Sequence, residues 1–368
     1  MNHPTAAPRR SPRAPGRGGC RLGAALLAGA VLGTSVACSS EATTERPAAT
    51  GTTATGTTAA PTTTVPPPVL WPLTGVDSAG ADVDRPALAI KVENSVDARP
   101  QTGLAAADMV WEEIVEGGIS RYVAVYHSTL PAAIGPVRSV RPMDPAIAAP
   151  LHGLMAFSGG QAPFVEATSA AGLQVVQPGS GMNGFYRVSD RVAPHNTYVD
   201  PAALVAQADE HRSAPPEQFA VAAEGEQPTA VAGGTPAAVL NLTLSRISRP
   251  SWTWSQPDGA WMRAEDSTPA VEADGTPLRA TNVVVLRVDV VNTQYVDGAG
   301  NPVPETVLVG GGEALVATGG RTVAATWAKA SAADPVALTG PDGGPVRLAP
   351  GTTWVELVPT ATGSVAVR

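Results

Sequence analysis

The sequence predicts a mixed α/β (α+β) segment followed by a β-rich one, preceded by an export leader and a spacer. Up to about residue 212, short apolar runs alternate with helix starts of the Asp-Pro type, the pattern of a mixed α/β unit. Beyond residue 237, apolar runs are punctuated by Gly, Pro and Asp and carry no sustained helical period, which is the signature of short strands. With 43% apolar residues in 368, the chain can fill cores in both segments. The expected divisions are a leader over 1–37, a lipidated Cys with a disordered tether over 38–70, the α/β segment over 71–212, a linker over 213–236 and the β-rich segment over 237–368.

Arg9, Arg10, Arg13, Arg17 and Arg21 precede the apolar run from Leu22 to Val36 and then Ala37-Cys38-Ser39-Ser40. A run of about fifteen residues suits a signal peptide better than a membrane span of roughly 20. Its end resembles a bacterial lipobox, with Ser35 where Leu is usual, and makes Cys38 the expected lipidation site. A diacylglyceryl group supplies the two chains that stable anchoring needs. The Thr-, Ala- and Pro-rich stretch that follows cannot bury enough apolar surface to order itself and reads as a solvated tether. Together these place the chain on the outer face of the cell membrane, held by its lipid anchor.

The formal charge is -8, yet the leader holds five of the 24 basic residues and no acid, leaving 19 against 32 acidic residues. So acidic a remainder lacks the basic footprint of nucleic-acid binding. Cys20 and Cys38 are the only cysteines, so the folded part has no disulfide, no Cys nucleophile and no Cys-ligated metal. Chemistry there must come from oxygen and imidazole.

Ala87 to Glu93 reads as the first strand. Met109–Val115 and Arg121–His127 flank Gly117-Gly118 and predict a hairpin. Glu112 and Glu113 then point to opposite faces, so at least one carboxylate turns inward and needs a partner, the nearby arginines being the obvious ones. Asp144-Pro145 starts a helix that runs to Gly153. Leu154–Phe157 is a short strand, Ser158-Gly159-Gly160 a tight turn and Pro163–Ala171 a helix, an order that aims backbone N–H groups at one point. Leu173–Gln177 is another strand, and Asp200-Pro201 starts a helix to about His211. In the β-rich segment the strands read as Val239–Leu244, Ala260–Ala264, Asn282–Val291, Thr306–Val309, Ala314–Thr318, Thr322–Trp327 and Trp354–Val358. Trp252, Trp254, Trp261, Trp327 and Trp354 fit the core of such a module better than an aromatic platform. Asp297-Gly298-Ala299-Gly300-Asn301 lacks the full calcium-loop pattern and reads as a hairpin turn.

Arg121, Arg138 and Arg141, with Arg187 and Arg191, meet the Ser158-Gly159-Gly160 turn, His195, Asn196 and Glu116 as an expected anion pocket. Guanidinium groups suit carboxylate and phosphate, and an anionic wall polymer or peptide offers both. The same arginines paired to Glu112, Glu113 and Glu116 would be structural bridges, and both readings stand. A hydrolase with Ser158 as nucleophile, His195 as base and Asp190 or Asp200 as orienting acid competes with them, although Ala156 interrupts the usual Gly-x-Ser-x-Gly elbow. His127, His152 and His195 show no metal-ligand spacing, so neither metal nor cofactor is expected. A scaffold for a protein partner is the remaining class, and a non-enzymatic binding protein is favoured.

A resemblance joins these readings. Glu93-Asn94, Ala98-Arg99-Pro100-Gln101-Thr102-Gly103-Leu104, Ala107-Asp108, Glu116-Gly117-Gly118-Ile119-Ser120-Arg121, Ile134-Gly135-Pro136-Val137-Arg138-Ser139, Ser158-Gly159-Gly160 and Ala193-Pro194-His195-Asn196 are similar to the YerB-like bacterial lipoprotein family. Thr281-Asn282-Val283-Val284-Val285 and Gly351-Thr352-Thr353-Trp354-Val355-Glu356-Leu357-Val358-Pro359 extend it through the second half. The resemblance implies a two-domain, surface-anchored protein from a family of unknown function, with motif positions at Arg99, Glu116, Arg121, Arg138, Ser158, His195 and Asn196. It transfers no catalytic roles.

Overall fold

The computed structural model describes residues 67–179 and 183–368; the leader, Cys38 and nearly all of the spacer lie outside the described residues. The first segment forms β1 (Leu88–Glu93), β2 (Met109–Ile114), β3 (Ser120–Tyr126), α1 (Asp144–Ala148), β4 (Leu154–Ala156), α2 (Ala162–Ala170), β5 (Gln174–Val176), β6 (Phe185–Arg187), β7 (Thr197–Val199) and α3 (Pro201–Val205). Then come α4 (Thr229–Gly233), β8 (Thr235–Pro236), β9 (Val239–Thr243), β10 (Pro250–Ser255), β11 (Ala260–Glu265), β12 (Thr268–Pro269), β13 (Arg279–Ala280) and β14 (Asn282–Val296). The chain ends with β15 (Pro302–Val307), β16 (Gly310–Thr318), β17 (Arg321–Lys329), β18 (Ala337–Thr339), β19 (Thr353–Pro359) and β20 (Ser364–Val367). A mixed α/β first region and a β-rich second region are what the sequence patterns predict.

Local chemistry explains where elements begin and end. β2 and β3 pair antiparallel, and the turn between them uses Gly117 at φ 71° and Gly118 at φ 79°, a region that side chains avoid. The helix expected from Asp144 to Gly153 is α-helical only to Ala148 and tightens to a 3-10 turn over Ala149–Leu151, where Pro150 has no N–H to donate. Asp200 caps α3 by accepting from the Ala203 N–H at 3.1 Å. That helix stops at Val205 and continues as single turns, short of the expected His211. Gly153 is required by close approach, because a Cβ there would lie 2.1 Å from the Ala87 carbonyl.

Twelve strands share the main sheet, in the order β18-β17-β16-β14-β19-β2-β3-β1-β4-β5, with β15 on β14 and β8 on β17. β19 runs parallel to both β14 and β2, so the last long strand joins the first hairpin to the β-rich region. All seven of its residues are buried, as a strand covered on both faces requires. A second sheet, β12-β11-β10-β9-β20 with β13 on β11, contributes Leu240, Trp252 and Trp261 to a core with Ile90, Tyr122 and Trp354 of the main sheet. On the opposite face α1 and α2 supply Ile147, Ala148 and Phe164 to a core with Ala89, Trp111 and Val123. Residues 213–236, expected as a linker, are packed: Val221 bridges Leu348, Phe219 stacks on Trp111 and Ala230 is buried. Among the described residues no helix is long and apolar enough to cross a membrane.

Four of the five C-terminal tryptophans are core residues, and Trp254 is half-buried. Asp297 accepts from the N–H groups of Ala299 and Asn301, closing the turn between β14 and β15 as an Asx turn. β10, which carries Trp252 and Trp254, was not expected from its sequence; Pro250, Ser251 and Ser255 break the apolar alternation that marks a strand.

Between the two sheets lies a buried arginine. Arg263 on β11 donates from Nη1 to Glu356 of β19 at 2.8 Å and from Nη2 to Glu112 of β2 at 2.6 Å, Glu265 at 2.8 Å and the Tyr122 hydroxyl at 3.2 Å. Its guanidinium carbon lies 4.7 Å from the Trp354 ring centroid and 5.3 Å from that of Trp252. Burial, together with the charge of Glu112, pushes the Glu356 carboxyl well above the usual range. A protonated Glu356 leaves Glu112 and Glu265 to balance Arg263 and Arg99, which bridges Glu265 at 3.1 Å. Removing one partner of such a buried set costs about 3–5 kcal/mol, since the other charges keep their desolvation penalty. Arg263→Met is therefore expected to lower stability by that order in urea unfolding; a loss within about 1 kcal/mol would show that the network does not tie the layers together.

Candidate functional site

The pleat sends successive residues of β1, β2 and β3 to opposite faces. Glu112 faces Arg263 and the second sheet, whereas Glu113 faces the helices. The partner of Glu113 is Lys91, not an arginine: the Lys91 ammonium contacts Glu113 and lies 2.7 Å from Asp144, all three fully buried. Glu112, in turn, is bridged by an arginine from far along the chain rather than by the nearby ones.

Three of the predicted arginines gather at the Glu93 end of this helix-side face. Arg121 stands opposite Glu93 on one side and Glu113 on the other, and donates from Nη1 to the Ser139 carbonyl at 3.0 Å. Arg138 approaches Glu93 at 3.3 Å, and Arg141 pairs with Glu116 at 2.6 Å. Arg121 makes no ion pair among the described residues. Burial first, then the charges of Arg141 and Arg138, pull its guanidinium down to about 10 despite Glu116 and Glu93, so it stays charged at neutral pH. Three cations thus face two carboxylates.

The Ser158-Gly159-Gly160 turn is laced to the same segment. The Ser158 N–H donates to the Arg138 carbonyl at 2.9 Å, and the Gly159 carbonyl accepts from the Val140 N–H at 3.0 Å. A Cβ at Gly160 would meet Val140 at 2.5 Å, so packing fixes this glycine. The N–H groups of Gly159 and Gly160 donate to no acceptor among the described residues. Ser158 N–H is consumed and is not an oxyanion donor.

His195 reaches the cluster through Glu93. Its Nδ1 lies 3.0 Å from Glu93 Oε2, while Glu93 Oε1 accepts from the Ser95 hydroxyl at 2.9 Å. Among the described residues neither Asp190 nor Asp200 bonds His195, contrary to the hydrolase expectation: Glu93 holds its Nδ1, and Asp200 is committed to capping α3. No hydrogen bond joins Ser158 to His195 among the described residues. Arg187 and Asn196 pair with each other on the β6–β7 hairpin, and Arg187 is exposed; among the described residues no hydrogen bond or ion pair links that pair to Arg121 or Arg141. Arg191 donates to the carbonyl of Ala98 at 2.8 Å and to that of Pro100, holding the 95–101 loop. His195, Arg99, Arg191, Asp97 and Asp190 line an open groove of about 650 Å³. His127 is buried against the carbonyls of Val83 and Arg85, and His152 is exposed, so the three histidines do not converge.

Glu93, which holds both His195 and Arg138, was missed as a site residue. Its signal was the one acid of a mostly apolar strand that also carries Lys91, inside the Glu93-Asn94 motif.

A strand-dominated fold that gathers Arg99, Arg121, Arg138 and His195 around the Glu93-Asn94 end of β1 defines the class. Residues 73–214 match the N-terminal domain, and residues 240–355 the C-terminal domain, of the family described as Protein of unknown function (DUF3048), and the chain belongs to this family. It is 32% identical over 130 residues to the Bacillus subtilis (strain 168) protein named "Putative lipoprotein YerB". That stretch is 35% of this chain and 39% of the relative, well under two thirds of its length. The crystal structure of YerB protein from Bacillus subtilis superposes with a TM-score of 0.66 at 20% identity, covering 81% of this chain and 99% of that one, which shows a shared fold. The relative's name is consistent with membrane anchoring through a lipid.

Burial, reinforced by the neighbouring Asp144, raises the Glu113 carboxyl from 4.5 to about 8, with Lys91 opposing. Between these values the folded chain keeps a proton that the unfolded chain releases. Its contribution to stability is complete below the unfolded value and is lost as pH rises through the folded one. Urea midpoints of the wild type are expected to fall from about pH 5 to about pH 8, with a flatter profile in Glu113→Gln. Parallel profiles for the two proteins would rule this out.

Proposed function

We propose that the chain is a lipid-anchored protein of the outer face of the cell membrane that binds an anionic envelope component through Arg121, Arg138 and Arg141. One observation carries this reading: Arg121 is buried, has Arg138 and Arg141 as charged neighbours and has no carboxylate bridging it among the described residues. A buried cation without a paired anion is costly, and an incoming phosphate or carboxylate would supply the missing charge. The unused N–H groups of Gly159 and Gly160, beside Arg138, support it as donors, in the manner of backbone anion nests. His195, held by Glu93, borders the same cluster from the open groove. Cys38 is the proposed anchor. The bridging alternative accounts for Arg138 and Arg141 but leaves Arg121 over.

Binding is tested by calorimetric titration of purified protein with a poly(glycerol phosphate) oligomer and with a neutral glucan of equal length. The oligomer is expected to bind, with affinity falling as salt rises, and the glucan to be silent. Arg138→Ala, which removes a part-exposed side chain, should weaken binding by about tenfold, one charged hydrogen bond's worth. Equal response to both polymers would sink the proposal. The anchor has its own test: Cys38→Ala is expected to move the protein from the membrane fraction to the soluble one, and its retention on the membrane would show that another element anchors it.

A further inference from the structure

On the other face of the same strand end, the two sheets part to leave a cleft of about 430 Å³, within the size range of small-ligand pockets. Its walls include Val96, Pro100, Val271 and Leu278, and Arg99, Tyr122 and Glu265 contribute polar surface. The guanidinium of Arg99 is held from behind: Nε donates to Asn94 Oδ1 at 2.9 Å, Nη2 donates to the Asn94 carbonyl at 2.9 Å and lies 3.1 Å from Glu265 Oε2. Glu265 is itself fixed by Arg263, Asn94 and the Tyr122 hydroxyl. The remaining nitrogen, Nη1, makes no hydrogen bond among the described residues.

Asp266, which also lines the cleft, occupies the turn between β11 and β12 at φ 53°. Its side chain is exposed, and its carboxylate has no hydrogen bond or ion pair among the described residues. The cleft therefore offers one pre-oriented cationic donor, one uncommitted anion and apolar walls. A ligand that satisfies all three carries a carboxylate, an ammonium and an apolar body. Polymeric phosphate satisfies only the first and has no cation to offer Asp266, so this cleft and the arginine cluster call for different ligands.

We infer that the cleft binds a short peptide with free termini, its carboxylate on Arg99, its ammonium on Asp266 and its aliphatic side chains against Val271 and Leu278. Fixing the guanidinium in advance lowers the ordering cost of binding, and charge-assisted contacts at both ends set the peptide's direction.

The test is calorimetric titration of the purified protein with the tripeptide Ala-Leu-Ala, its C-terminal amide and its N-acetyl form. The free tripeptide is expected to bind, and each capped form to bind about tenfold more weakly, the effect of one charge-assisted contact. Asp266→Asn keeps a residue that tolerates the left-handed turn and should weaken the free tripeptide about as much as N-acetylation does, with no further loss when the two are combined. A fold check by urea unfolding accompanies each variant. Absence of binding to folded wild type at millimolar tripeptide, equal binding of free and capped forms, or unchanged affinity in Asp266→Asn would each overturn the assignment.

Discussion

Arg263 is the constraint on which the arrangement of layers depends. Sheet-on-sheet packing is ordinarily an apolar matter, and Trp252, Trp261 and Trp354 provide that here. An apolar interface alone would leave the register of the two sheets loosely specified. A guanidinium with several directed donors is less forgiving: it must meet Glu112 from β2 and Glu356 from β19 while stacked among Tyr122, Trp252 and Trp354. Replacing such a cluster by apolar residues is often neutral or stabilising, so its value lies in specificity. It fixes which residues of the early hairpin, the late strand and the second sheet face one another.

The same logic recurs, inverted, on the helix side. There the cation is Lys91, and the two carboxylates are handled by proton uptake at Glu113 and by ionic contact at Asp144. Asp144 also accepts from the Arg141 N–H at 2.6 Å, which ties the start of α1 to the arginine-bearing segment. The Lys91 triad thus positions Arg141, while Glu93 positions Arg138 and His195. Burial of charge on this face is graded, from wholly enclosed at Lys91 to partly open at Arg138, and the proposed anion site lies at the open end.

Much of this was legible because the determinants are local. The paired glycines of the first hairpin, the proline in the first helix and the alternation at Glu112 and Glu113 each act within a few residues. What was not legible is non-local. That β19 lies between β14 and β2 depends on pairings across more than two hundred residues, and no periodicity encodes a partner at that distance. The second region reads as a module of its own because its strands are β-rich, yet β14 and β16–β19 extend the main sheet while β9–β13 and β20 form the other. Lys91 and Arg263 were invisible for a related reason: each is a charged residue amid strand-forming neighbours, and only the assembled sheets show what surrounds it.

The site itself shows how the pleat divides what sequence proximity merges. Glu93 and Asn94 are adjacent, and one motif carries both. Glu93 turns to Arg138 and His195 on the helix side; Asn94 turns to Glu112, Arg99 and Glu265 on the side of the second sheet. A list of neighbouring polar residues therefore looks like one pocket, although the backbone has sorted them into two. Arg99 belongs to both surroundings, lining the groove of His195 as well as the cleft between the sheets. Its guanidinium is nonetheless bonded to Asn94 and Glu265 only, which assigns its chemistry to the cleft. The arginines that remain for the other face are Arg121, Arg138 and Arg141, and of these Arg121 has its charge unmatched. The two proposed sites, of unlike chemistry and back to back at the end of β1, follow from the alternation of a single strand.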